Sequence, residues 1–210
     1  MENTRLSRKE REYLRHRQEI LKVALKLFSE KGFHNVSMHE IATASEFAVG
    51  TLYKFFSNKE ALYKALMIDA SKAFHSSLMA ALTTSGSELE KIRACVEAKI
   101  KVFTENLDYV RLYLAETRAA SFNIKAGLDT DIKVKYEEFL EKLARVFESG
   151  IKKRLFKAFD PYLLAVALDG ISNALLFQYI EHSDAHPFDA DLIVNIFFQQ
   201  IYKEGETRDE

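Results

Sequence analysis

Residues 37–60 read SMHEIATASEFAVGTLYKFFSNKE, and this stretch decides the fold. Ser37 followed by Glu40 has the spacing of a capping box, in which hydroxyl and carboxylate each satisfy a free backbone N–H at a helix start. Ile41 and Ala44 give the helix it opens a small apolar face. Ser45 and Glu46 supply a turn. A second short helix carries Leu52, Phe55 and Phe56, and offers Val49, Gly50, Thr51 and Tyr53 as small or hydroxylated residues. Ser57 and Glu60 repeat the box, so a third helix begins there. Two short helices joined by a tight turn, the second presenting such residues, form the layout of a helix-turn-helix DNA reader.

The run IATASEFAVGTLYKFFSNKEALY resembles the signature of the TetR family of bacterial transcriptional repressors. Ile41, Ala42, Ala44, Gly50, Thr51, Leu52, Tyr53, Phe56, Lys59, Glu60 and Leu62 match it. Upstream, Ile20, Ala24, Leu27, Phe28, Gly32 and Phe33 are similar to the family's first helix and its exit. Three positions depart from the pattern: Glu46 where glycine is common, Ala48 where Ser or Thr caps the reading helix, and Phe55 where a polar or hydroxylated aromatic residue is common. The resemblance implies an all-α chain. Residues 1–60 are then a three-helix helix-turn-helix DNA-binding domain, and residues 61–210 a helical ligand-binding and dimerisation domain. It also implies a homodimer that reads palindromic double-stranded operator DNA and is released by a small hydrophobic effector. The alternative is a helical small-molecule-binding protein that has lost DNA binding.

Short side chains at the start of the reading helix let it approach base edges, which suits Val49, against a thymine methyl, and Gly50. Thr51, Tyr53 and Lys54 are donors for phosphate, which fixes register without reading sequence. Lys59 sits in the first turn of the next helix and is expected on phosphate too. Ser37 and His39 are expected to anchor the other strand. Arg5, Arg8, Lys9, Arg11, Arg15 and Arg17 read either as a basic arm along the DNA or as a solvated helix face, since Glu10, Glu12 and Glu19 are interleaved.

Bulk composition agrees with this division. The chain has 210 residues, 48% of them hydrophobic, enough for a sizeable core. Two prolines and seven glycines leave long helices unbroken. Residues 1–64 hold twelve Lys/Arg against eight Asp/Glu, while residues 65–210 hold eighteen against twenty-three. A basic first third on an acidic remainder suits contact with phosphate at one end. No run approaches the ~20 unbroken apolar residues of a membrane span, and no apolar signal core opens the chain, so a cytoplasmic location without membrane contact is expected. The single cysteine, Cys95, makes no internal disulfide and is expected to be inert.

Further helix starts follow from caps at Ser7 with Glu10, Ser87 with Glu90, Asp108, Asp160 before Pro161, and Asp189. Gly32 is expected to end the first helix and Gly150 to loosen the end of another. The segment PYLLAVALDGISNALLFQYIEHS is apolar nearly all round, which implies burial on more than one side. Aromatic residues crowd the second domain. Phe74, Phe103, Tyr113, Phe139 and Phe177, with Asn173 as an orienting polar group, are the expected lining of the effector pocket. Phe122 belongs to the same aromatic set, and Arg118 is placed to meet an acidic head group or a carboxylate. Leu168, Ile171, Leu175, Ile193, Phe197 and Ile201, on the last two long helices, are the expected dimer interface. His182, Asp184 and His186 lack metal-ligand spacing and read as surface residues, so neither metal nor cofactor is expected. No phosphate loop, nucleophile elbow or HExxH is present, and no catalytic residue is assigned.

Overall fold

A computed structural model describes residues 6–117, 130–181 and 189–201. The irregular stretch expected at residues 121–128, Arg5, Arg118, Phe122, the group His182, Asp184 and His186, and the tail from Gly205 lie outside these residues. The described helices fall into two compact units, one drawn from Met1–Ala70 and Asp108–Gly127, the other from Ser71–Leu107 and Leu128–Glu210.

In the first unit, α1 (Arg8–Lys31) starts at a complete capping box: Ser7 Oγ accepts from Glu10 N–H at 3.2 Å, and Glu10 Oε2 accepts from Ser7 N–H at 2.7 Å. It ends at Gly32, whose φ of +82° favours glycine. A 3-10 turn (Phe33–Asn35) leads to α2 (Met38–Ala44), α3 (Val49–Phe55) and the start of α4 (Lys59–Ala81). One core joins them with α6 (Leu107–Thr117). Ile20, Ala24, Ile41, Ala42, Leu52, Leu62 and Leu66 are fully buried in it. The inward residue of α2 beside Ile41 is Ala42; Ala44, expected inside, is exposed. The cap of α4 is Asn58, which accepts from Ala61 N–H at 2.7 Å, rather than the expected Ser57. Asp108 lies within the first turn of α6 and does not precede it.

The second unit holds the later part of α4, α5 (Glu88–Glu105), α7 (Thr130–Lys152), α8 (Pro161–Glu181) and α9 (Ala190–Ile201). Its caps are those expected: Ser87 with Glu90 makes a full box, and Asp160 and Asp189 each accept backbone N–H groups of the helix they precede. Phe147 lies at the centre, with Phe156, Phe197 and Phe198 around it at ring separations of 5.8–6.3 Å. Full burial of one such side chain is worth about 1.5–3 kcal/mol. Gly150 does not loosen α7. A Cβ there would sit 2.2 Å from the Phe156 ring, so glycine is what lets that ring lie on the helix.

The span Pro161–Ile180 of α8 is long and apolar enough, by length and composition alone, to cross a membrane. It averages apolar although Asp169 interrupts it. Lys99 on α5 and Asp169 are each 4% exposed and paired at 2.5 Å. Tyr136 and Asn173 donate to the other carboxylate oxygen at 2.6 and 2.9 Å. Burial, first, and the Asp169 charge push the Tyr136 phenol well above its ordinary range. Leu164, Ala165, Leu168 and Leu176 pack inward, which marks α8 as a core helix with one covered side. Burial on more than one side was expected, but within a single chain the opposite side is open: Leu163 is 64% exposed, and Val166 is also on the surface.

Candidate nucleic-acid interface

The reading unit is built from α2, the turn and α3. Ser37 Oγ accepts from Glu40 N–H at 3.1 Å, but the second half of the expected box is not made. The Glu40 carboxylate pairs instead with Lys31 of α1, and this bond holds its acid below the ordinary carboxylate range. The N-terminus of α2 is thus tied to the end of α1. In the turn, Ser45 Oγ donates to the carbonyl of Ile41 at 2.7 Å, and Phe47 N–H reaches that of Ala42 at 2.9 Å. Glu46 takes φ +59°, the left-handed conformation that glycine occupies without steric conflict. The turn therefore keeps its shape despite the missing glycine.

Ala48 takes the cap position before α3, and its side chain makes no cap bond. Leu52 is its fully buried anchor. Phe55 stacks on Tyr13 of α1 at 4.7 Å, and Phe47 meets the edge of His16 at 5.2 Å. These contacts explain an apolar Phe55. Its ring serves α1–α3 packing, a partnership that no local sequence signal reveals. The outward residues of α3 are Gly50, Tyr53 and Lys54, with Thr51 partly covered. A Cβ on Gly50 would meet nothing, so this position is open to an approaching surface. Val49 divides its side chain, since it also packs against the first core.

Ser37, His39, Tyr53 and Lys59 border one open surface depression, together with His34, Asn35, Val36 and Met38. Lys59 does not simply extend into it. Its ammonium donates to the carbonyls of Phe33, Val36 and His34 at 2.8, 2.9 and 3.4 Å, 4.5 Å from the centre of the Phe33 ring. The basic residues of α1 divide similarly. Arg8 and Arg15 form exposed pairs with Glu12 and Glu19. Arg17 turns inward to Asp69 at 2.6 Å and lies over the Phe56 ring.

Of the residues expected to line an effector pocket, Phe74, Phe103 and Phe177 form a chain of ring contacts at 5.2 and 6.2 Å in the second unit. Phe139 is buried beside Tyr136, and Asn173 is bonded to Asp169. Tyr113 belongs to α6 and is grouped with the first unit. Of the residues expected at a dimer interface, Leu168, Ile193, Phe197 and Ile201 are buried within a single chain, while Ile171 and Leu175 are only partly covered where they pack against the same core. The exposed apolar residues of these helices are Leu163, Val166, Leu192 and Ile196. Cys95 is 3% exposed, and burial pushes its thiol up to about 12, which agrees with an inert residue.

Residues 20–66 match the family model described as bacterial regulatory proteins, tetR family. The uncharacterized HTH-type transcriptional regulator YhgD of Bacillus subtilis is 24% identical over 88% of this chain and 93% of its own length. The HTH-type transcriptional regulator UidR of Escherichia coli is 44% identical over 52 residues, 25% of this chain and 26% of its own. The crystal structure of AibR in complex with isovaleryl coenzyme A and operator DNA has the same fold, with a TM-score of 0.66 and 22% identity over 89% of this chain and 98% of that one. The outward face of α3, the α2–α3 turn geometry and these likenesses agree: residues 20–66 form a helix-turn-helix of the tetR-family type, in a chain similar over most of its length to an HTH-type transcriptional regulator.

Proposed function

We propose that this chain is a ligand-responsive repressor that binds a palindromic operator as a homodimer. The carrying observation is the helix-turn-helix at residues 37–60, which turns Gly50, Tyr53 and Lys54 outward from a fixed frame. Val49 and Gly50 approach base edges; Ser37, His39, Thr51, Tyr53 and Lys54 position the backbone. The departures at Glu46, Ala48 and Phe55 leave this frame intact, which favours a working DNA reader over a chain that has lost binding.

The dimer uses α8 and α9 by their open faces. Leu163, Val166, Leu192 and Ile196 gain by leaving water, and Gly170, whose Cβ position is open, permits close helix approach. The effector is a small hydrophobic molecule received by the second unit near Phe74, Phe103 and Phe177. AibR, solved with an acyl coenzyme A and operator DNA together, supports a ligand-bound regulator of this fold. α4 carries Lys59 and Phe74 on one helix and is the proposed link. The effector must favour the DNA-free arrangement, and operator DNA then weakens effector binding by the same factor.

Fluorescence anisotropy with a duplex from upstream of its own gene and a scrambled duplex tests the reading. Preference for the first is expected, and Val49→Ala should change that preference more than overall affinity. Binding to neither duplex would leave the helical ligand-binding alternative. Mass spectrometry of ligand retained through purification identifies the effector class.

A further inference from the structure

Tyr13 belongs to α1, outside the helix-turn-helix, yet its ring lies on the reading unit. It stacks on Phe55 near the end of α3, with centroids 4.7 Å apart and planes 27° from parallel. His16, one turn later on α1, meets the edge of Phe47 in the turn before α3. Ile20, one turn later again, is fully buried in the same core as Leu52. Successive turns of α1 are thus fixed against the reading unit, and Tyr13 is fixed with them. It remains 47% exposed, and among the described residues its hydroxyl enters no hydrogen bond. The stack needs only a ring. The hydroxyl is a donor held in place with no partner inside the protein.

Its place relative to α3 gives that donor a use. Tyr53 borders the depression that holds Ser37 and His39. Phe55 is two residues further on, about 200° round a helix of 3.6 residues per turn, and so faces the other flank. Thr51, one turn before Phe55, shares that flank. A helix lying in a major groove has a phosphate backbone on each side of it. Lys9, one turn before Tyr13 on α1, is exposed and adds a positive charge beside it. Phe55 is also a plain ring where a polar or hydroxylated aromatic residue is common. The hydroxyl absent from α3 stands on the ring stacked against it.

We propose that Tyr13 is a DNA-backbone contact: its hydroxyl donates to a phosphate oxygen on the Thr51 flank of α3, in place of the hydroxyl that Phe55 lacks. This rests on the DNA-binding reading above. The contact fixes register on the flank opposite Ser37 and His39 and reads no base.

Tyr13→Phe in the full chain removes the hydroxyl and keeps the stack. Binding is measured by anisotropy over a range of salt, on the upstream duplex and on a scrambled duplex of equal composition. Both duplexes should bind about tenfold more weakly, as expected for loss of a hydrogen bond to a charged group. The salt slope should stay that of the wild type, because a neutral hydroxyl displaces no counterion. The melting temperature should not change, since the hydroxyl has no partner in the protein. Adding Phe55→Tyr to Tyr13→Phe returns a hydroxyl to the same stacked pair and should recover most of the loss. Wild-type affinity in Tyr13→Phe overturns the proposal. A loss confined to the upstream duplex overturns it too, since that marks a base contact. So does a flattened salt slope, which would mean that charged contacts left with the hydroxyl, or a lowered melting temperature, which would assign the hydroxyl to the fold. No recovery with Phe55→Tyr overturns the exchange of one hydroxyl for the other. A wild-type chain that binds neither duplex overturns the DNA-binding reading itself, a result distinct from these.

Discussion

The Lys99 ammonium and the Asp169 carboxylate lie 2.5 Å apart, with side-chain exposures of 5% and 3%. Each charge is tolerable inside the second unit only because of the other, and because Tyr136 and Asn173 fill the remaining carboxylate positions. Lys99→Met should therefore destabilise the fold by about 3–5 kcal/mol, since it strands a buried carboxylate. The double change Lys99→Met with Asp169→Leu should recover much of that loss. Urea denaturation measures both. Strictly additive losses would mean that the two groups do not act as a pair.

The turn of the reading unit stores removable strain. Glu46 holds φ +59° with a side chain that this conformation disfavours. Glu46→Gly should raise stability by about 1 kcal/mol, the steric cost of one left-handed residue less the greater freedom of glycine when unfolded. A lower melting temperature for this variant would contradict that account of the turn.

The dimer prediction turns on which face of each helix is open. Leu163→Asp and Ile196→Asp should each yield folded monomers in sizing with light scattering, because both residues are already solvent-facing in one protomer. Phe197→Asp should instead unfold the second unit, since this ring is 7% exposed and packs on Phe147. A dimer that survives both exposed-face changes would place the interface elsewhere.

Acid should act first through Glu88. This carboxylate is 4% exposed at the start of α5. It accepts from Lys153 Nζ at 2.5 Å and Ser149 Oγ at 2.8 Å. The Lys153 bond is the main cause that brings its acid down from 4.5 to about 2, with Ser149 adding to it against the opposing effect of burial. The depressed value means the contribution is complete above pH 4.5 and is lost as pH falls toward 2. Glu88→Gln should lower stability at neutral pH by about 1–3 kcal/mol, through loss of a charged hydrogen bond, and flatten the decline between those limits. Thermal melts across that range check it. A wild-type decline that persists unchanged in the variant would assign it to another group.

Local chemistry made much of the fold legible. Ser7, Ser87, Asp160 and Asp189 were readable as caps because a cap and its partners lie within three residues of each other. The helix-turn-helix was readable for the same reason, its stop and start signals being contiguous from Ser37 to Asn58. Sequence spacing could not say that the Glu40 carboxylate goes to Lys31, or that Lys59 grips Phe33 and Val36. In each case several acceptors compete, and only the packing of α1, α2 and α4 decides which is near. The open face of α8 was hidden for a different reason. A helix apolar on every side carries no 3.6-residue pattern to mark its interior. Whether Leu168 or Leu163 meets the core was settled by where α5 and α7 come to rest, with Lys99 and Tyr136 meeting Asp169 on the covered side.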